Sequence, residues 1–251
     1  MKGITRSKMN RFHYREWVSY FENNDQKRLK VDFSKEKGLS DEEIALIFPS
    51  IRAFRKGEGS DGGHLMKTVE EWGCPEYTEA MQWFVREENW HSSYLKQYMN
   101  YYQVEDMERS FLDHIFRSLR KLGGLKGEVT VLVTAEMIAL TYYDALSKCT
   151  GSPALKAICR QMLHDELLHI MFQSYTLSHF KNRPSDVLGR ILLMEFTLLF
   201  VWCAFHNVYR AGGYGFVRFF RENLGYLQQS VELTLKPPAY MERQKFHGKI
   251  F

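Results

Sequence analysis

The sequence predicts an all-α fold, on three observations. Apolar residues recur at spacings of three and four over long stretches, which is the helical period. No stretch of useful length alternates apolar and polar residues as a strand does. Helix breakers are sparse: 251 residues contain 17 glycines and only 6 prolines. Hydrophobic residues make up 45% of the chain and charged residues 25%, the balance of an ordinary globular protein. That balance excludes a disordered chain, a collagen-like chain and a disulfide mini-protein.

Taken in order, residues 1–39 are polar and charge-rich and read as an arm or short lead helix outside the core. Ser40 followed by Asp41, Glu42 and Glu43 is a helix start, an N-cap and then acids in the first turn. Pro49 is expected to open a second helix at its first position, running over 49–72 and stopping at Gly73. Further helices are expected over 76–103, 105–122, 127–149, 153–180, 184–212 and 214–234. The run 191–205 is the longest apolar stretch. Fifteen residues interrupted by Glu195 are too short for a membrane span, so it reads as a core helix. Residues 40–235 thus form one helical domain, and 236–251 a tail that begins at Pro237-Pro238.

A formal net charge of +4 is too weak for a nucleic-acid footprint. Cys74, Cys149, Cys159 and Cys203 form no CxxC pair, which argues against a thiolate zinc site and fits a reducing, cytoplasmic setting. The basic N-terminus lacks the apolar stretch of a signal peptide.

The chemistry lies on the apolar stripes. One stripe reads Ile51, Phe54, Glu58, Gly62, Leu65, Val69. A second reads Met81, Phe84, Glu88, His91, Leu95, Tyr98. A third reads Val129, Leu132, Glu136, Ala139, Tyr143, and a fourth Cys159, Met162, Glu166, His169, Gln173. Four helices each direct a glutamate inward, and two of them add a histidine as Glu-x-x-His. Four carboxylates in one core are very costly without counter-charge, and two divalent ions supply it. One Glu from each of two helices plus Glu-x-x-His from the other two is the ligand set of dimetal carboxylate bundles. The metal set is therefore Glu58, Glu88, His91, Glu136, Glu166 and His169. Asp61 and Glu70 are the fallbacks for Glu58, which stands in a glycine-rich run. Glu195 and His206 share a face of a later helix but lie 11 residues apart, about 16 Å along the axis, too far to bind one ion.

These residues also carry a likeness to known proteins. Glu87-Glu88-Asn89-Trp90-His91 resembles the EENRH signature of soluble acyl-carrier-protein desaturases, and Asp165-Glu166-Leu167-Leu168-His169 their DEKRH signature. The likeness spans roughly 45–215 and marks the ferritin-like di-iron group more specifically than its desaturase branch. Ala139 and Tyr143 look more like aldehyde-deformylating oxygenases; plant-type desaturases carry a Thr in the place of Ala139. The resemblance implies a ferritin-like four-helix bundle with flanking helices and two irons, a manganese–iron pair being the alternative. Glu88 and Glu166 would bridge, Glu58 and Glu136 would be terminal, and His91 and His169 would give one nitrogen to each iron. Asp165 and Tyr143 would support the ligands from behind.

The function expected is oxygen-dependent oxidation of a fatty acyl or similar hydrophobic substrate, fed by an external electron donor, in a homodimer. Phe84, Trp83, Met99, Met137, Tyr142, Tyr143, Met171, Phe172 and Trp202 are candidates to line an acyl tunnel. Arg117, Arg120, Lys121 and Lys126 are candidates to dock an acidic carrier protein. The alternatives are an aldehyde-deformylating oxygenase, an iron-oxidising or peroxide-removing protein of the ferritin or rubrerythrin kind, and a binding bundle with a vestigial site.

Overall fold

The structure is a computed structural model that describes residues 13–59, 62–107 and 123–235. Among them all regular structure is helical, in eight segments: α1 (Tyr14–Asp25), α2 (Asp41–Glu58), α3 (Gly63–Glu71), α4 (Pro75–Tyr101), α5 (Gly124–Cys149), α6 (Pro153–Ser178), α7 (Pro184–Ala211) and α8 (Phe216–Leu235).

Among the described residues, the antiparallel pair α5 and α6 packs most extensively. Two glutamates fix its hairpin. Glu43 accepts from the Thr150 hydroxyl at 2.6 Å and the Gly151 amide at 2.8 Å. Glu36 accepts from the Ser152 hydroxyl and the Ala154 amide, each at 2.8 Å. Ser152 in turn caps α6 by accepting from the Leu155 amide. Five donors at a helix start and a tight connection are thereby satisfied, and the heights of Glu136 and Glu166 on facing helices are set.

Pro49 does not open a helix. It lies inside α2, which starts at Asp41 under the Ser40 cap. Proline removes one donor from the helix ladder, and the neighbouring Ser50 is held by its hydroxyl on the Ile47 carbonyl and by Tyr142. Nor does one helix span 49–72. The glycine-rich run ends α2 at Glu58, and α3 begins after Gly62, whose φ of +64° is a left-handed conformation that disfavours a side chain. At Gly62 a Cβ would also press on Val85 of α4 at 3.0 Å. Glu58 is therefore the last residue of its helix rather than a mid-helix position.

Residues before Ser40 contribute to the core, contrary to the expectation of an outlying arm. Trp17 and Phe21 of α1 are buried, and α1 packs along α4. Residues 104–107 are not helical, and the rest of the helix expected over 105–122 lies outside the described residues, as does the tail.

The expectation for 191–205 is also corrected. The run is helical, within α7, but only one side of it is buried. Leu188, Leu192, Phe196 and Leu199 are each more than half exposed. By length and composition, α5 and α7 are both apolar enough to cross a membrane; α5 is mostly buried inside the bundle and α7 is not. Where α7 ends, Gly212 lies against the backbone of Ala145 so closely that a Cβ would fall 2.3 Å from its carbonyl oxygen. This approach seats α7 on α5.

Candidate metal centre

The four residues of the two Glu-x-x-His motifs converge between α4 and α6. Glu88, His91, Glu166 and His169 each place a ligand atom within 4.8 Å of the others. The i, i+3 spacing puts both side chains of a motif on one face of its helix. Glu88 Oε1 lies 3.6 Å from His91 Nδ1 and 2.9 Å from His169 Nδ1. The Glu166 oxygens lie 3.4 Å from each of the same two nitrogens. Both glutamates therefore span the two imidazoles.

Glu136 and Glu58 flank this group. Glu136 Oε2 is 3.6 Å from His169 Nδ1. Glu58 accepts a hydrogen bond from the Tyr143 hydroxyl at 2.7 Å, and its side chain keeps some solvent exposure. Of the fallbacks, Glu70 is exposed and Asp61 lies outside the described residues.

The outer nitrogens of the histidines are fixed by a crossed arrangement. His91 Nε2 pairs with Asp165 Oδ2 at 3.1 Å, and His169 Nε2 with Glu87 Oε1 at 2.9 Å. Each motif thus has an acid just before its glutamate, and that acid supports the histidine of the other motif. Asn24 of α1 joins the two supports, donating to Glu87 Oε2 at 2.8 Å and Asp165 Oδ1 at 3.0 Å. Gln161 and His164 complete the shell around Asp165. Glu87 was not among the expected supports; its place just before Glu88, matching Asp165 before Glu166, is the signal that would have found it. Asn24 carried no motif and lies 63 residues from the nearer of its partners.

The inner atoms are the unsatisfied ones. His91 Nδ1, His169 Nδ1, Glu88 Oε1 and both Glu166 oxygens are buried with no hydrogen-bond partner of acceptable geometry. Buried polar atoms are normally paired. Here the unpaired ones all face a single point, on residue types that ligate transition metals. The donor set fits a divalent metal, and the buried cluster can hold one.

The electrostatics describe a site in need of cations. Burial raises the Glu58 carboxyl, and the charges of Glu166 and Glu88 raise it further. Burial also raises Glu136, with Glu166 and Glu88 adding to it. Burial acts the same way on Glu166, but the close approach of Glu136 and of the His169 and His91 imidazoles outweighs it and holds Glu166 low. Asp165 is likewise held low by His164, His91 and Gln161 against its burial. Burial alone would lower the two ligand histidines. Their carboxylate neighbours, led by Asp165 for His91 and Glu136 for His169, reverse this and hold both well above the usual imidazole value. Each of these upward shifts favours the protonated form of His91, His169, Glu58 and Glu136.

Phe84 sets its ring edge against His169 at 4.7 Å, with Phe21 and Phe172 behind it. Of the expected tunnel residues, Phe84, Met99, Met137, Tyr142, Tyr143, Met171 and Phe172 are buried core. Trp83 is half-buried beneath Arg86. Trp202 is half-buried on α7 against Phe216 and Phe219. Of the expected docking cations, Lys126 is tied to Asp186 at 2.7 Å and to the Lys181 carbonyl. Arg117, Arg120 and Lys121 lie outside the described residues. Glu195 is exposed and His206 half-exposed.

Two outcomes are expected. Replacing Asn24→Leu removes the donor shared by Glu87 and Asp165; partners of this kind are worth about 10–100-fold in metal affinity, so a loss of about tenfold is expected. Chelator competition reads it, and an unchanged affinity contradicts the role. The second concerns pH. Groups whose folded pKa is raised stabilise the fold below their unfolded value and lose that contribution as pH rises through the folded one. His91, His169, Glu58 and Glu136 all act this way. Asp165 and Glu166, held low, contribute above the carboxylate range and fail only in acid. The melting temperature of metal-free protein should therefore fall as pH rises past about 6.5, the ordinary imidazole value. Bound manganese(II), replacing the protons, should flatten that slope. A level or rising profile for the metal-free protein contradicts this.

No protein-family model, curated protein or solved structure matches the chain.

Proposed function

We propose that the protein is a ferritin-like dinuclear metal oxidoreductase that uses dioxygen to oxidise a fatty acyl or similar hydrophobic substrate. The observation that carries the metal reading is the crossed pair of acid-Glu-x-x-His motifs. Their outer nitrogens are bonded to Glu87 and Asp165, and their inner nitrogens are left unpaired beside Glu88 and Glu166. The choice of iron and of the substrate class rests on the resemblance to acyl-carrier-protein desaturases. Desaturation, hydroxylation and deformylation share this chemistry, and a manganese–iron pair would use the same residues.

In this reading Glu88, Glu166, Glu136 and Glu58 would hold the two ions through their carboxylates, and His91 and His169 would each give one nitrogen. Bound iron supplies the activation of dioxygen for attack on a C–H bond. The chain supplies the rest. Asp165 and Glu87 orient the imidazoles through Nε2, so that Nδ1 faces the metals. Phe84, Phe21 and Phe172 exclude water from the His169 side. Tyr143 donates its hydroxyl to Glu58 Oε1 at 2.7 Å and so orients that partly exposed carboxylate and favours its ionised form.

The test is turnover. Protein loaded with ferrous ion, supplied with dioxygen and a chemical reductant, is offered acyl thioesters, free fatty acids and fatty aldehydes, with products read by mass spectrometry. The expected result is a reductant-dependent product that Glu166→Ala abolishes. If no member of the panel turns over and the protein instead oxidises many ferrous ions per chain, the lipid assignment fails and iron handling takes its place.

A further inference from the structure

The metal centre makes no use of α7. Helix α7 is 28 residues long, about 42 Å at the usual rise, yet its outward side carries Leu188, Leu192, Phe196 and Leu199 at 51–57% exposure. Exposed Cys203 and Ala204 extend the face toward the C-terminus. Phe216, itself 43% exposed, sets its ring 5.4 Å from that of Trp202 and widens the face sideways, with Val217 beside it 74% exposed. The only charged residue on this face between Asp186 and Arg210 is Glu195; Arg190 points inward, buried on Ser230 and Thr234. Scattered exposed leucines need no explanation, but a contiguous patch does.

We infer that α7 is the homodimer interface, packing antiparallel on α7 of a second copy about a two-fold axis near residues 200–201. Three observations select this occupant. The first is area. Six large apolar side chains, each roughly half exposed and somewhat under 200 Å² in full, offer roughly 600 Å² of apolar surface per copy. A standard interface takes about 800 Å² per partner, which the flanking Ile191, Leu193 and Phe200 bring within reach.

The second is the seam. From Leu192 the outward positions are Phe196, Leu199, Cys203 and His206, at steps of four, three, four and three, the pattern by which two helices interlock along a narrow line. The third is Glu195 with His206. They lie 11 residues apart, three turns, and so share the outward face. The backbone departs from helical geometry at Phe205, but the His206 ring stays 6.3 Å from that of Trp202 one turn back. In an antiparallel pair centred midway between them, Glu195 of each copy stands level with His206 of the other. That gives each copy's mid-face carboxylate one hydrogen-bonding partner, a pair made twice per dimer. A lipid surface covering the same face would strand Glu195 among acyl chains.

Analytical ultracentrifugation of the full chain tests this independently of metal, because iron content is measured on the same samples. Wild type is expected to sediment at twice the mass of one chain. Leu192→Glu combined with Leu199→Glu, both at exposed positions, is expected to weaken the dimer by at least about a hundredfold with helicity and iron content unchanged. Glu195→Lys should weaken it less, and the exchange Glu195→His with His206→Glu should recover it, since the facing pair is only swapped. Three results overturn the inference: a monomeric wild type at tens of micromolar, a dimer indifferent to the double substitution, or a monomer that floats with phosphatidylglycerol vesicles. The last would assign the face to lipid.

Discussion

Six metal-ligand-type side chains gathered in a helical core, four of them carboxylates, create the constraint that the rest of the structure serves. Their mutual repulsion and desolvation push His91, His169, Glu58 and Glu136 toward their protonated forms, and outer hydrogen bonds hold the two imidazoles in place. Those outer bonds are crossed. Asp165 belongs to one motif and holds the histidine of the other, and Glu87 does the reverse. Neither α4 nor α6 can rotate or slide without breaking both pairs, so the register of these helices and the orientation of the ligands are one problem with one solution.

The surrounding elements read as answers to that problem. The α5–α6 connection is pinned by Glu36 and Glu43, which sets Glu136 against Glu166. Helix α1 brings Asn24 to both supporting acids and Phe21 to the His169 side. The glycine-rich break after α2 lets the chain turn against α4 while Glu58 stays beside Tyr143. Metal bound at this cluster would be coupled to fold stability through the same hydrogen bonds.

Much of this was legible in the sequence, because helical period and ligand spacing are local properties. The stripes carrying Glu88–His91, Glu136 and Glu166–His169 follow from spacings of three and four alone, and the structure brings these residues together. What the sequence hid was long-range or depended on context. Asn24 meets its partners only through tertiary packing. Pro49 signals a helix start by propensity, but the Ser40 cap and the burial of Ile47, Phe48 and Ile51 carry the helix through it. The polar composition of residues 1–39 masked an α1 whose few aromatic residues are fully used. The apolar run of α7 reads as core because composition does not reveal whether both faces have neighbours.

The central claim is that the inward-facing atoms of Glu88, His91, Glu166 and His169, flanked by Glu136 and Glu58, hold two metal ions. Elemental analysis of protein loaded anaerobically with ferrous ion and then desalted tests it most directly. The account predicts close to two tightly held irons per chain, and their loss in His169→Ala. No iron, or a single loosely held ion that His169→Ala leaves in place, would contradict it.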